Sequence, residues 1–73
     1  MRSGYFAVIA HASNVYYCHL LKQRMCDPDS CEYESRIYTT SEQAYAVATR
    51  AYKKRFAPRR YEVPEYTIMI WEC

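Results

Sequence analysis

The stretch Tyr66-Thr67-Ile68-Met69-Ile70-Trp71 is the strongest β-strand pattern in the chain. It combines β-branched and aromatic residues and carries no charged side chain. Side chains alternate between the two faces of a strand, so both faces of this segment present aromatic or aliphatic residues. We therefore expect it to lie inside a sheet.

A helix is predicted over residues 41–56, upstream of that strand. The segment 39–44, Thr-Thr-Ser-Glu-Gln-Ala, begins with hydroxyl side chains that can accept hydrogen bonds from the free amides of a first helical turn. Ala44 and Ala48 fall on one face at helical spacing, and such small residues let a helix lie close to a sheet. Pro58 prevents the helix from continuing.

Two apolar runs precede the helix. Residues 5–10 and 15–25 are predicted to pair as a hairpin, and the turn-forming segment 26–31 leads into a third strand over 32–38. The sequence therefore predicts an α+β fold of the order β-β-β-α-β, a mostly antiparallel sheet of three to four strands with a single helix on one face. Residues 1–73 are expected to form one compact domain.

The composition argues against an enzyme. A chain of 73 residues has little room for a deep cleft, and its single glycine excludes a phosphate-cradling loop. No Ser/His/Asp grouping and no pair of acids in an apolar setting can be recognised. We expect neither catalytic residues nor a cofactor.

The N-terminal segment indicates no export or membrane anchoring. Its apolar run is about six residues long, which is short for the hydrophobic region of a signal peptide and far too short for a membrane span. We expect a cytoplasmic protein, in the host cell cytoplasm if it is phage-encoded, with no membrane partner and with its four cysteines reduced.

Cysteine and histidine form the only grouping that resembles a metal site. The candidate ligands are His19, Cys26 and Cys31 with Cys18 or His11, but a structural zinc site usually offers closely paired ligands such as Cys-x-x-Cys. We predict no metal and keep a zinc-stabilised interaction domain as an alternative. A disulfide between Cys26 and Cys31, across a four-residue turn, is geometrically feasible in an oxidising compartment.

The surplus of apolar side chains predicts a protein-binding surface. One helix covers only one face of the sheet, so the other face must meet a partner, a second copy of the chain, or the first hairpin folded over it. Tyrosine, tryptophan, methionine and arginine are enriched at protein interfaces. The predicted contact residues are Tyr16, Met69 and Trp71 on the sheet face and Arg59 and Arg60 at its edge.

Basic residues at the helix end support a second reading, a small nucleic-acid-binding module. Cations interleaved with aromatic rings can bind phosphates and stack on bases. Nearby glutamates dilute the positive field, and the net charge is only +2. The candidate nucleic-acid-binding residues are Arg50, Lys53, Lys54 and Arg55.

Residues 37–48, Ile-Tyr-Thr-Thr-Ser-Glu-Gln-Ala-Tyr-Ala-Val-Ala, followed by an apolar strand, resemble a strand, Thr-capped helix and strand unit of very small phage host-takeover proteins. These include coliphage inhibitors of host RNA polymerase and anti-CRISPR proteins, and the similarity covers about half the chain. In the polymerase inhibitors, arginines near the last strand contribute to the host contact. Here Arg59 and Arg60 precede that strand, and residues 67–72 contain no arginine.

The resemblance implies a compact protein of phage type that occludes a host macromolecular machine. Its partner would be a host protein complex, either RNA polymerase or a CRISPR effector. Together with the surplus apolar face, it predicts a non-enzymatic protein-binding inhibitor or adaptor.

Overall fold

A computed structural model describes residues 4–73, and the α+β class predicted from the sequence is confirmed. Single turns of 3-10 helix lie at Ala12–Asn14 and Pro28–Ser30. The described part has one more strand than expected, which gives the order β-β-β-β-α-β. The elements are β1 (Tyr5–His11), β2 (Val15–Cys18), β3 (Gln23–Cys26), β4 (Cys31–Glu34), α1 (Ser41–Arg55) and β5 (Tyr66–Glu72).

The main sheet has three antiparallel strands in the order β4-β1-β5, with β1 in the centre. In its register with β5, Ala7 lies opposite Ile70 and Ile9 opposite Ile68. Four consecutive residues of β1, from 7 to 10, have no solvent-exposed surface. Side chains alternate between the two faces of a strand, so both faces of β1 must be covered.

Helix α1 covers one face of this sheet through small side chains. Ala7, Ala44 and Ala48 are fully buried and form one cluster, against which Ile68 and Ile70 pack. The predicted helix start is confirmed as a capping box, in which the Thr40 side chain accepts from the Gln43 amide at 3.2 Å and the Gln43 side chain accepts from the Thr40 amide at 3.2 Å.

The prediction that residues 5–10 pair with residues 15–25 is wrong. Both edges of β1 are occupied by β4 and β5, and residues 15–25 belong to a separate hairpin in which β2 pairs with β3. The turn between them spans residues 19–22, with Lys22 at a φ of 56° and its amide donating to the Cys18 carbonyl at 2.7 Å. A left-handed lysine carries no local sequence signal, since glycine and asparagine are the usual residues there.

The β2–β3 hairpin covers the second face of the sheet. Val8, Ala10, Cys26 and Met69 form a buried cluster that joins β1, β3 and β5. Among the covers that the sequence left open, the chain's own hairpin is the one observed.

Candidate functional site

The hairpin lies on the second face of the main sheet and reaches strand β5. Cys26 packs against Val8 and Met69. Two residues earlier, Arg24 reaches the outer edge of β5, where its guanidinium donates to the Ile68 carbonyl at 3.3 Å and to the Thr67 hydroxyl at 3.2 Å. The turn at residues 19–22 connects β2 to β3, and all four of its residues are exposed.

The end of this hairpin exposes a group of large apolar side chains. Leu20 is 93% exposed and Leu21 is 59% exposed, although leucine is normally among the most buried residue types. The Tyr17 ring packs edge-on against His19 with 5.1 Å between the ring centroids. We call the four exposed residues Tyr16, Tyr17, Leu20 and Leu21 the tip patch. Tyr16 and Tyr17 are consecutive residues of β2, so the patch includes both faces of the hairpin.

The charged side chains of the hairpin segment all have one sign. No aspartate or glutamate occurs between residues 15 and 26, whereas Lys22 and Arg24 lie in that segment. Because Arg24 is committed to the edge of β5, Lys22 is the cation that stands beside the patch. An acidic surface is therefore the electrostatic complement of this end of the molecule.

The placement of the predicted sheet-face residues differs from the expectation. Met69 is wrong as an exposed contact residue, because the hairpin leaves it only 3% exposed. Trp71 is half-buried, with its indole N–H donating to the Arg24 carbonyl at 3.1 Å and its ring edge-on to Phe6 at 5.7 Å. Trp71 thus holds the hairpin to the sheet, whereas Tyr16 is exposed as expected.

Arg59 and Arg60 lie in the loop between α1 and β5 and are exposed. The Arg59 amide donates to the Glu62 carboxylate at 2.9 Å. This loop leads into the Tyr66 end of β5, and at the usual rise per strand residue Trp71 lies about 17 Å further along the strand. Among the described residues, the aromatic contact of Arg60 is with the Tyr61 ring, whose centre lies 5.7 Å from the guanidinium carbon.

All four cations of the basic helix end, Arg50, Lys53, Lys54 and Arg55, are exposed. The guanidinium of the fourth residue, Arg55, lies 5.6 Å from the centre of the Tyr33 ring and 5.2 Å from that of Phe56. Such cation–π contacts fix Arg55 against its own chain. The nucleic-acid reading stays a prediction.

The zinc candidates are not gathered into a site. Within residues 4–73, no three His, Cys, Asp or Glu side chains are grouped so that they could hold a metal ion. Cys26 and Cys31 are free thiols whose sulfur atoms lie 3.2 Å apart. Burial, the S–H hydrogen bond to Cys31 and nearby negative charge raise the pKa of the Cys26 thiol to about 12.

In the part of the chain from residue 4 onward, no helix is long and apolar enough to cross a membrane.

No protein-family model, curated protein or solved structure matches this chain.

The sequence pattern does not indicate Tyr17, Leu20 and Leu21 as an exposed group, because it predicts one long strand over residues 15–25. A usable signal was the length of that segment: the commonest strand has about five to six residues, so an eleven-residue run in so small a sheet favours two strands and a turn. The position of the turn is not visible, because residues 19–22 include no glycine, proline or asparagine.

Proposed function

We propose that this chain is a non-enzymatic protein-binding inhibitor or adaptor that inserts its tip patch into an apolar groove of a larger protein. The observation that carries the proposal is the exposure of two adjacent leucines, Leu20 at 93% and Leu21 at 59%, in the turn of the β2–β3 hairpin. Burying one leucine side chain is worth about 1.5–3 kcal/mol, and that free energy is left for a partner to use.

Tyrosines give the tip patch the character of an interface. Tyr16 is 49% exposed and Tyr17 is 52% exposed, so about half of each side chain remains for a partner to cover. Tyrosine buries a large area at low conformational cost, while its hydroxyl tolerates water at the rim of an interface. The fitting partner has an apolar groove with an acidic rim that complements Lys22.

The proposal extends to a biological class. Residues 37–48 resemble a unit of very small phage proteins that occlude a host machine, and a hairpin turn with exposed leucines is suited to entering an apolar groove on a large complex. We therefore propose a host protein complex, RNA polymerase or a CRISPR effector, as the partner. In that role the protein acts in the cytoplasm of the host cell.

The experiment is a tagged capture from nuclease-treated bacterial lysate with bound proteins quantified by mass spectrometry. Three versions are compared: the wild type, Leu20→Ser/Leu21→Ser, and the control Tyr61→Ser/Val63→Ser. The control removes an equally exposed apolar pair, since Tyr61 is 90% and Val63 is 78% exposed in another loop. We expect one host complex on the wild type and the control, and at least tenfold less of it on the tip variant.

Equal recovery by all three versions would reject the tip patch as the binding surface. Recovery that disappears only when nuclease is added would favour the basic helix end instead. That second reading is supported by the exposure of Arg50, Lys53, Lys54 and Arg55. It has its own signature, because phosphate binding weakens linearly in log affinity against log salt, by about one unit of slope per phosphate contact.

A further inference from the structure

We propose that Cys26 and Cys31 form a reversible intramolecular disulfide by exchange with a small-molecule disulfide such as oxidised glutathione. This modification site is independent of the proposed binding function. Its basis is the contact between the two sulfur atoms at 3.2 Å, whereas a disulfide bond is about 2.0 Å long. The two atoms need to approach by only about 1 Å for the bond to form.

The surrounding backbone holds the two thiols in place. Cys26 is the last residue of β3 and Cys31 is the first residue of β4. Between them, the Pro28–Ser30 turn is closed by the Ser30 amide donating to the Asp27 carbonyl at 2.9 Å and by the Cys31 amide donating to the Pro28 carbonyl. The thiols therefore face each other because the turn places them so.

Their environments assign different roles in the exchange. Cys31 is partly exposed, whereas Cys26 is 4% exposed, and burial raises the pKa of the Cys26 thiol to about 12. Cys31 is thus the thiol that a reagent meets first. Its thiolate attacks one sulfur of the small disulfide, which forms a mixed disulfide and releases one thiolate of the reagent.

Cys26 completes the reaction. It loses its proton to solvent, attacks the Cys31 sulfur of the mixed disulfide and expels the second reagent thiolate. Two protein thiols are oxidised and one small disulfide is reduced to two thiols, which take up the two protons. The closeness of Cys26 compensates for its small thiolate fraction, because the second step is intramolecular.

The bond would tie the hairpin to the sheet. Cys26 ends the hairpin strand that covers the second face, while Cys31 pairs with Ala10 at the edge of the main sheet. Closing this short loop reduces the freedom of the unfolded chain, so the melting temperature should rise by about 5–15 °C on oxidation.

The test uses the full chain carrying Cys18→Ser/Cys73→Ser, so that only the two proposed thiols remain. It is incubated with oxidised glutathione in excess over reduced glutathione and analysed by intact mass and thermal melting. We expect a product that has lost two hydrogen atoms, carries no glutathione and melts at the higher temperature. Reduced glutathione in excess should restore the starting mass.

Single variants in that background separate the two steps. With Cys26→Ala, a glutathione adduct should accumulate on Cys31, because no neighbouring thiol remains to displace it. With Cys31→Ser, the buried Cys26 should stay unmodified in the folded protein. The inference is overturned if the two-thiol protein keeps both thiols alkylatable after oxidation, carries glutathione on both cysteines, or pairs them between two chains.

Discussion

The main sheet with its helix and the β2–β3 hairpin use the same kinds of residue in opposite ways. In the sheet, Val8 and Ile9 have no exposed surface, while at the hairpin end Leu20 is 93% exposed. The difference has a structural cause: β1 has a strand on each side and a covering layer on each face, whereas residues 19–22 form the exposed turn of a two-stranded hairpin. Apolar character in the sheet holds the fold together, and at the tip patch it is available for binding.

The sheet side of this comparison is tested by Ile9→Ala. Ile9 is fully buried, so truncation removes apolar contacts and leaves a cavity, and we expect the free energy of unfolding to fall by about 2–5 kcal/mol. Urea denaturation followed by circular dichroism measures the loss. Ile9→Val is the graded control at about 0.5–1.5 kcal/mol. A loss below 0.5 kcal/mol for Ile9→Ala would contradict the claim that the buried side chains of β1 stabilise the fold.

The entrance to β1 should be almost as sensitive to an added methyl group. A Cβ atom on Gly4 would lie 2.5 Å from the Ile37 side chain and 3.1 Å from the Tyr38 carbonyl oxygen. We expect Gly4→Ala to lower the free energy of unfolding by about 1–3 kcal/mol through overpacking.

The double variant Gly4→Ala/Ile37→Ala is the matched check on that cause. It removes the nearer obstacle, so it should recover part of the stability lost in Gly4→Ala. No recovery would show that the contact with Ile37 is not the source of the loss, and a neutral Gly4→Ala would show that the strand entrance is loosely packed.

Trp71 connects the β2–β3 hairpin to the main sheet. Trp71→Phe keeps an aromatic ring against Phe6 but removes the hydrogen bond to the Arg24 carbonyl, so we expect a loss of about 0.5–1.5 kcal/mol. Compared with the wild type, Trp71→Phe should accelerate amide hydrogen exchange more in β3 than in β1. Equal acceleration in both strands would mean that the hairpin and the sheet open as one unit.

Substitutions in the tip patch should have almost no effect on stability. Leu20→Ser/Leu21→Ser changes side chains that are mostly in water, so the free energy of unfolding should stay within about 0.5 kcal/mol of the wild type. Urea denaturation is again the measurement. A loss as large as that of Ile9→Ala would mean that these leucines pack into the fold and are not available to a partner.

Local sequence patterns predicted the elements that local chemistry determines. The helix start follows from the reciprocal hydrogen bonds of Thr40 and Gln43, and β5 follows from its β-branched and aromatic run. The α+β class follows from these two elements and the apolar runs before them. Of the predicted contact residues, Tyr16 is exposed, but no local pattern could show that Met69 is covered, because Cys26 covers it from a distant part of the chain.

The hairpin could not be predicted for a different reason. Leu20 and Leu21 have the character of strand residues, and the turn between β2 and β3 is completed by Lys22 in a left-handed conformation. Glycine, asparagine and proline are the usual sequence signals of a turn, and this turn has none of them. The sequence pattern therefore predicts that Leu20 and Leu21 lie inside a strand, and it does not predict that they are exposed in a turn.

The most direct test of the tip patch as a binding surface is site-specific photo-crosslinking. A photoreactive phenylalanine analogue replaces Leu20 in one protein and Tyr61 in a second, two positions with nearly equal exposure of 93% and 90%. After illumination in bacterial lysate treated with nuclease, crosslinked proteins are identified and quantified. If the tip patch is the binding surface, one dominant host protein should be crosslinked from position 20 and little from position 61. Equal yields from both positions, or a specific product from position 61 alone, would contradict it.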